Sequence, residues 1–260
     1  MTKLFLVVLY KQKISESQTC ISLKENSIQN FSENKIVIWD NSPQKINSLG
    51  NAKQFFDSEN IDFIHTPQNL SLSKIYNKTI KENPAFDFIQ LFDQDSKIEK
   101  DNYNSYLNSV FEGNPKINIF LPKVFSGKKL YSPGKFFIKG WHFKNINFGI
   151  NKSRFYTAIT SGLCIRLDFF KKTKIKFNEE LHLYCIDTDF IYQIRKIDSC
   201  FFVLDLNFIH NLSEENLTNE EKKERRKLEI EGLKTLYKKH LFCTFLVLCQ
   251  QLLLKITKKV

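Results

Sequence analysis

The sequence predicts an α/β fold, with a mostly parallel central sheet and helices on both faces. Three observations carry this expectation. Apolar runs alternate with polar helical stretches through the first 92 residues. The first run, residues 4–9, has no polar interruption, as a strand buried on both faces requires. A chain of 260 residues that is 42% hydrophobic, with few Gly and Pro, can bury a large core and is neither a disordered nor a repeat composition.

The elements follow in order. After the strand at 4–9, residues near 15–31 read as a helix. Residues 35–39 (KIVIW) form a second strand, ended by the turn cluster Asp40-Asn41-Ser42-Pro43. Residues 55–60 close a second helix, 61–65 are a third strand, and 71–82 are a third helix stopped by Asn83-Pro84. Residues 86–92 (FDFIQLF) are a fourth strand, followed at once by Asp93-Gln94-Asp95. Further on, 118–124 read as a strand, 126–158 as a long basic, aromatic loop, and 158–167 as a strand broken at Ser161-Gly162. A helix spans 187–195, and 201–209 is a late strand ending at His210. Thr218 and Glu221 fit a capping box at the head of a charged helix. The division expected is a catalytic domain over 1–215 and a basic amphipathic helical extension over 216–260.

The basicity is local. Residues 123–158 carry eight Lys/Arg and no acid, and residues 222–260 carry eleven Lys/Arg and three Glu. The remainder has a net charge of −5. With no recognised binding motif and an acidic remainder, nucleic acid is not an expected partner. The 123–158 region suits an anionic partner, and Phe136, Phe137, Trp141 and Phe143 are placed to stack on sugar rings; a solvated loop with a few core aromatics is the plainer reading of any one of them. Residues 241–254 are an apolar run of 14, short of the roughly 20 a membrane span needs, and they contain Gln250 and Gln251 with Lys on both flanks. An interfacial helix on a membrane surface fits that pattern, and packing on the chain's own domain or on another subunit is the alternative. Six cysteines without a C-x-x-C pair read as free thiols. The first apolar run is too short for a signal sequence and lacks a cleavage site, so a cytosolic protein, peripheral on the inner face of the plasma membrane, is expected.

Chemistry concentrates at predicted strand ends, where open parallel sheets bind ligands. Asp93 and Asp95, two residues apart, can hold one Mg²⁺ or Mn²⁺ together with substrate phosphates. As a lone triplet they would be a solvated turn; their place after the fourth alternating strand favours the site. Asp187 and Asp189 open a helix, where a carboxylate can act as a general base or simply favour the helix N-terminus. His210 can complete a cation site or be an ordinary hydrogen-bonded residue, and Asp40 can accept from a ribose or base or make an Asx-turn.

In order along the chain, Val7–Tyr10, Trp39–Ser42, Asn69–Asn77, Phe92–Ser96, Thr160-Ser161-Gly162, Asp187–Phe190 and His210–Ser213 resemble glycosyltransferase family 2, particularly its rhamnosyl- and galactofuranosyltransferase-like branch. The resemblance covers residues 6–213. It implies the GT-A fold and inverting transfer of a sugar from a dTDP- or UDP-sugar, with dTDP-rhamnose as first candidate. The implied acceptor is a surface polysaccharide, lipopolysaccharide or lipid-linked glycan. It also implies roles. Asp93 and Asp95 would bind the metal and diphosphate, with His210 as a further ligand. Asp187 would be the catalytic base, and Asp189 would support it or contact the acceptor. Tyr10, Asp40, Asn69 and Asp93 would line the nucleotide pocket, and Ser161, Gly162 and Trp141 would flank donor sugar and acceptor. Ser71 stands where the family usually has Gly, and Gln193 where an Arg is common. Two other classes remain open at this point: a nucleotidyltransferase, although Tyr10-Lys11-Gln12-Lys13 has no phosphate-loop Gly, and a non-catalytic membrane-associated binding protein.

Overall fold

The structure, a computed structural model, describes residues 1–28, 32–99, 101–136, 140–143, 145–210 and 218–238. The first half alternates as expected: β1 (Lys3–Leu9), a 3-10 turn (Ile14–Glu16), α1 (Gln18–Glu25), β2 (Asn34–Asp40), α2 (Leu49–Phe56), β3 (Ile61–His65), α3 (Leu72–Glu82) and β4 (Phe88–Phe92). α1 is shorter than the expected helix over 15–31, and residues 29–31 lie outside the described residues. α2 ends at Phe56 rather than running to residue 60, because Asp57 takes a left-handed conformation (φ 52°) and its N–H turns back to the Lys53 carbonyl.

Then follow β5 (Ser96–Glu99), α4 (Tyr103–Gly113), β6 (Ile119–Ser126), β7 (Lys129–Ser132), β8 (Gly134–Phe136), β9 (Gly140–His142), β10 (Gly149–Lys152), β11 (Tyr156–Thr157), β12 (Cys164–Arg166), α5 (Leu167–Thr173), α6 (Ile186–Ile197), β13 (Cys200–His210) and α7 (Asn219–Tyr237). Two expectations are corrected here. The region 126–158 is not one long loop: β7 pairs with β6, β10 with β13, and β11, β8 and β9 make a separate small sheet. The expected strand over 158–167 shrinks to β12, because residues 160–163 form a tight turn and Leu167 already begins α5. The helix α7 starts one residue after Thr218, where the capping box places it. The apolar run 241–254, the boundary at 215/216, residues 211–213 and Phe137 lie outside the described residues.

The main sheet runs β10-β13-β6-β12-β4-β1-β2-β3. β3, β2, β1 and β4 are parallel, β6 and β13 are parallel to each other, and β12 wedges between β4 and β6 antiparallel to both. β1 shows why its sequence is uniformly apolar. Leu4, Leu6 and Val8 face one core with Ile75 and Tyr76 of α3 and Phe190 of α6, whereas Phe5, Val7 and Leu9 face a second core with Cys20 of α1, Phe56 of α2 and Leu107 of α4. The sheet is therefore covered on both faces, and its carboxyl edge is the surface left for a ligand. Cys20, Cys164, Cys185 and Cys200 are free thiols. Among the described residues no helix is long and apolar enough to cross a membrane.

Candidate active site

The site is assembled where β4 ends. Asp93-Gln94-Asp95 turns the chain from β4 into β5, and the start of α1 grips that turn. Ser17 Oγ donates to the Gln94 carbonyl at 2.7 Å, Thr19 Oγ1 to the Asp93 carbonyl at 2.5 Å, and the Tyr10 N–H to Gln94 Oε1 at 2.7 Å. Two carbonyls of the turn are thereby committed to α1. The register of β5 against β13 sets His210 opposite Ser96. His210 Nδ1 lies 3.3 Å from Asp95 Oδ1 and 3.3 Å from Ser96 Oγ. One ligand atom from each of Asp93, Asp95 and His210 falls within a 4.8 Å cluster. Two carboxylate oxygens and an imidazole nitrogen are a donor set that suits Mn²⁺ or Mg²⁺.

The opposite wall is the turn before β12. Ser161 is fully buried; its Oγ lies 2.5 Å from Ser96 Oγ and accepts the Asp93 N–H at 3.3 Å. Gly162 clamps this turn to β4, donating its N–H to the Leu91 carbonyl (2.6 Å) and accepting Gln90 Nε2 (3.0 Å). Its φ of +81° favours glycine, and a Cβ there would stand 2.4 Å from the Phe208 ring and 2.6 Å from Pro122.

Asp187 sits in the first turn of α6, entered through Cys185 in a left-handed conformation. Its Oδ1 accepts the Thr188 N–H at 2.7 Å, and burial raises its pKa above the usual carboxylate value. Asp93 is pushed up to about 6, first by burial; His210 opposes the shift, and Asp95 and Asp187 add to it. These four groups thus share one electrostatic field, crowded with negative charge that a cation would relieve. The buried phenol of Tyr76, 3.3 Å from Thr160 Oγ1, is held protonated by burial and by the charges of Asp93 and Asp187.

The other expected residues have the following surroundings. Asp189, two positions along α6, bonds to Gln193 Nε2 at 2.6 Å and lines a groove on the side of α7. Asp40 is fully buried, and its carboxylate accepts the N–H groups of Ser42, Ile46 and Asn47 and the Asn47 amide, closing the loop after β2. Asn69 (φ 48°) receives a 3.0 Å hydrogen bond from Asn41 Nδ2, whose other contacts pin Thr66 and Leu70. Tyr10 is exposed beside the Asp93 turn. The backbone of Trp141 lies in β9 opposite Lys135, and its side chain is outside the described residues. Residues missed from sequence are Thr19, Ser96, Tyr76 and Asn41. Asn41, Tyr76 and Ser96 fall within the segments that carry the family resemblance but were given no role there, and nothing in the sequence singled out Thr19.

No protein-family model and no curated protein sequence matches the chain. Solved structures do. S. aureus TarS residues 1–349 in complex with UDP is similar at 17% identity with a TM-score of 0.59, over 90% of this chain and 66% of that one. The same TarS segment in complex with UDP-GlcNAc is similar at 15% identity (TM-score 0.60, 91% of this chain and 65% of that one). GalNAc-T7 with UDP, GalNAc and Mn²⁺ is similar at 12% identity (TM-score 0.58, 81% and 44%). The chain therefore spans just under two thirds of the TarS segment and less than half of GalNAc-T7. Together with the doubly covered, mostly parallel sheet and the acidic turn at the end of β4, the likeness shows that this chain has the GT-A fold.

Proposed function

We propose that the protein is a glycosyltransferase that moves a sugar from a nucleoside-diphosphate donor to an acceptor hydroxyl, with inversion. The observation that carries this reading is the cluster of Asp93, Asp95 and His210 at the end of β4, with Asp187 in the same field. A divalent cation held by Asp93, Asp95 and His210 would supply charge neutralisation for the departing diphosphate. Asp187 takes the proton of the acceptor hydroxyl as the acceptor oxygen bonds to the anomeric carbon and the bond to the diphosphate breaks. Its raised pKa makes it a stronger base, and the Thr188 N–H on Oδ1 orients the carboxylate. Ser161 and Ser96, joined through their hydroxyls, set the spacing between the Asp93 turn and His210. Asp189 supports the helix start through Gln193 rather than touching the reacting atoms.

The similar structures hold UDP, UDP-GlcNAc, or UDP with GalNAc and Mn²⁺, which supports a pyrimidine nucleotide donor and a metal at the cluster. Within that class dTDP-rhamnose remains the candidate drawn from the sequence, alongside UDP-sugars. The acceptor is a surface polysaccharide or a lipid-linked glycan, met at the cytoplasmic face of the membrane through the basic C-terminal segment. The test is thermal-shift titration of the full chain with dTDP, UDP, GDP and CMP, each with Mn²⁺ and with EDTA. A Mn²⁺-dependent shift with dTDP or UDP that Asp95→Ala abolishes is the expected result. Shifts that ignore both EDTA and Asp95→Ala would overturn it.

A further inference from the structure

Asp93 and Asp95 sit between β4 and β5, and His210 ends β13, so the main sheet sets their places. Asp187 depends instead on the loop that leads into α6. That loop has two supports. On one side is α3. Asn77 Oδ1 accepts the Phe177 N–H and Asn77 Nδ2 donates to the Phe177 carbonyl, both at 2.9 Å, and Ser73 Oγ donates to the Leu181 carbonyl at 3.4 Å. On the other side is α7. Gly232 lies so close to Tyr184 that a Cβ would stand 2.9 Å from the Tyr184 carbonyl oxygen and 3.2 Å from its carbonyl carbon. Further along α7, Lys238 reaches Glu180 at 3.5 Å.

Gly232 lies inside a 19-residue helix, where glycine is less stable than alanine. What the missing side chain makes possible is the close approach to a backbone carbonyl, which has no flexible end to move aside. The residue directly after Tyr184 is Cys185, and it has a φ of 65° without being a glycine. Such a conformation persists only where the surroundings enforce it. Burial, then the charges of Asp187 and Glu229, push the Cys185 thiol up to about 12, so Glu229 of α7 is within electrostatic reach of this residue. α6 begins at Ile186, and Asp187 follows. Resting on the glycosyltransferase reading above, we propose that Gly232 is a positioning residue for the reaction: it seats α7 on the Tyr184 carbonyl, which holds Cys185 in its left-handed turn and so aims Asp187. α7 is then a working part of the catalytic unit rather than an appendage to it.

The test compares the full wild-type chain with Gly232→Ala, Gly232→Leu and Gly232→Leu/Cys185→Gly. Alanine and leucine are better helix formers than glycine, so a weakened α7 does not account for a loss. Amide hydrogen exchange read by mass spectrometry should quicken over residues 184–190 in Gly232→Leu and stay unchanged in β1 and β4. Turnover is read as nucleoside diphosphate released from UDP-glucose, UDP-GlcNAc or dTDP-rhamnose with Mn²⁺, water being the acceptor. The water oxygen bonds to the anomeric carbon, its proton passes to Asp187, and the bond to the diphosphate breaks. The kcat should fall about tenfold in Gly232→Ala and about 100-fold in Gly232→Leu, with Mn²⁺-dependent UDP affinity unchanged. Glycine adopts the left-handed conformation without enforcement, so Cys185→Gly should restore part of the kcat lost in Gly232→Leu. Unchanged exchange, unchanged kcat, a parallel loss of UDP affinity or no recovery with Cys185→Gly would overturn the proposal while leaving the donor site standing. A wild type with neither turnover nor Mn²⁺-dependent nucleotide binding would overturn the glycosyltransferase reading, and the positioning role with it.

Discussion

Asp187 and Gly162 separate chemistry from geometry at the same site. Asp187→Asn keeps the size and the Thr188 contact but removes the proposed base. Initial-rate measurement with a competent donor and acceptor should show kcat lower by about 10²–10⁴-fold, with UDP or dTDP affinity nearly unchanged. Gly162→Ala forces a methyl into the space of Phe208 and Pro122 at a left-handed φ. Urea denaturation should show a loss of about 2–4 kcal/mol, larger than a surface Gly→Ala change would give. Cys20 gives a pH prediction. Its thiol is fully buried and is pushed from the ordinary 9.0 to about 12. The native state then keeps a proton that the unfolded chain releases above pH 9, so stability falls as pH rises through that window. A urea-midpoint series from about pH 8 to about pH 11 should show a decline that Cys20→Ala lessens by up to about 1.4 kcal/mol per pH unit.

Elements decide which of these residues meet. α1 both caps itself through Ser17, which accepts the Cys20 N–H at 3.2 Å, and holds the Asp93 turn through Ser17 and Thr19. Ser17→Ala should cost about 1–2 kcal/mol in denaturant unfolding and weaken Mn²⁺-dependent nucleotide binding as well. A cap with no second duty would change only the first. The parallel half of the sheet and its acidic turn were legible because the apolar runs of β1 and β2, and that of β4 broken only by Gln90, each stop at a polar group. α4 was not. Its sequence, YNSYLNSVFEG, is rich in Ser and Asn, and what makes it a helix is the packing of Tyr103, Leu107, Val110 and Phe111 on the second core. β7 to β11 were hidden because they are two to four residues long, with Lys and Gly among them, and take their shape from partners distant in sequence. Of the candidate site, Asp93, Asp95, His210 and Asp187 were readable as acids or imidazole at element ends. The separation of Asp187 from Asp189 on two sides of α6 follows from helix geometry. The inward closure of Asp40 depends on the loop it folds over it.

At the scale of the molecule, one sheet joins two unlike halves. β3, β2, β1 and β4 are local in sequence, each strand following its predecessor through a helix, whereas β6, β12 and β13 interleave segments far apart in the chain. β13 is the strand that completes this second half, pairing with β5, β6 and β10 and ending at His210. The described part of α7 then packs back against the loop before α6, with Gly232 close to the Tyr184 carbonyl and Lys238 at 3.5 Å from Glu180. During synthesis the amino-terminal half can gather its parallel strands early, because its contacts are near in sequence. The cation cluster cannot. Its two aspartates are made before the hundredth residue, but the imidazole that joins them is the last residue of β13. A ribosome-bound chain that has not yet exposed residue 210 therefore owns the carboxyl edge of the parallel sheet without the complete Asp93, Asp95 and His210 cluster, and the proposed chemistry becomes possible only as the sheet itself is finished.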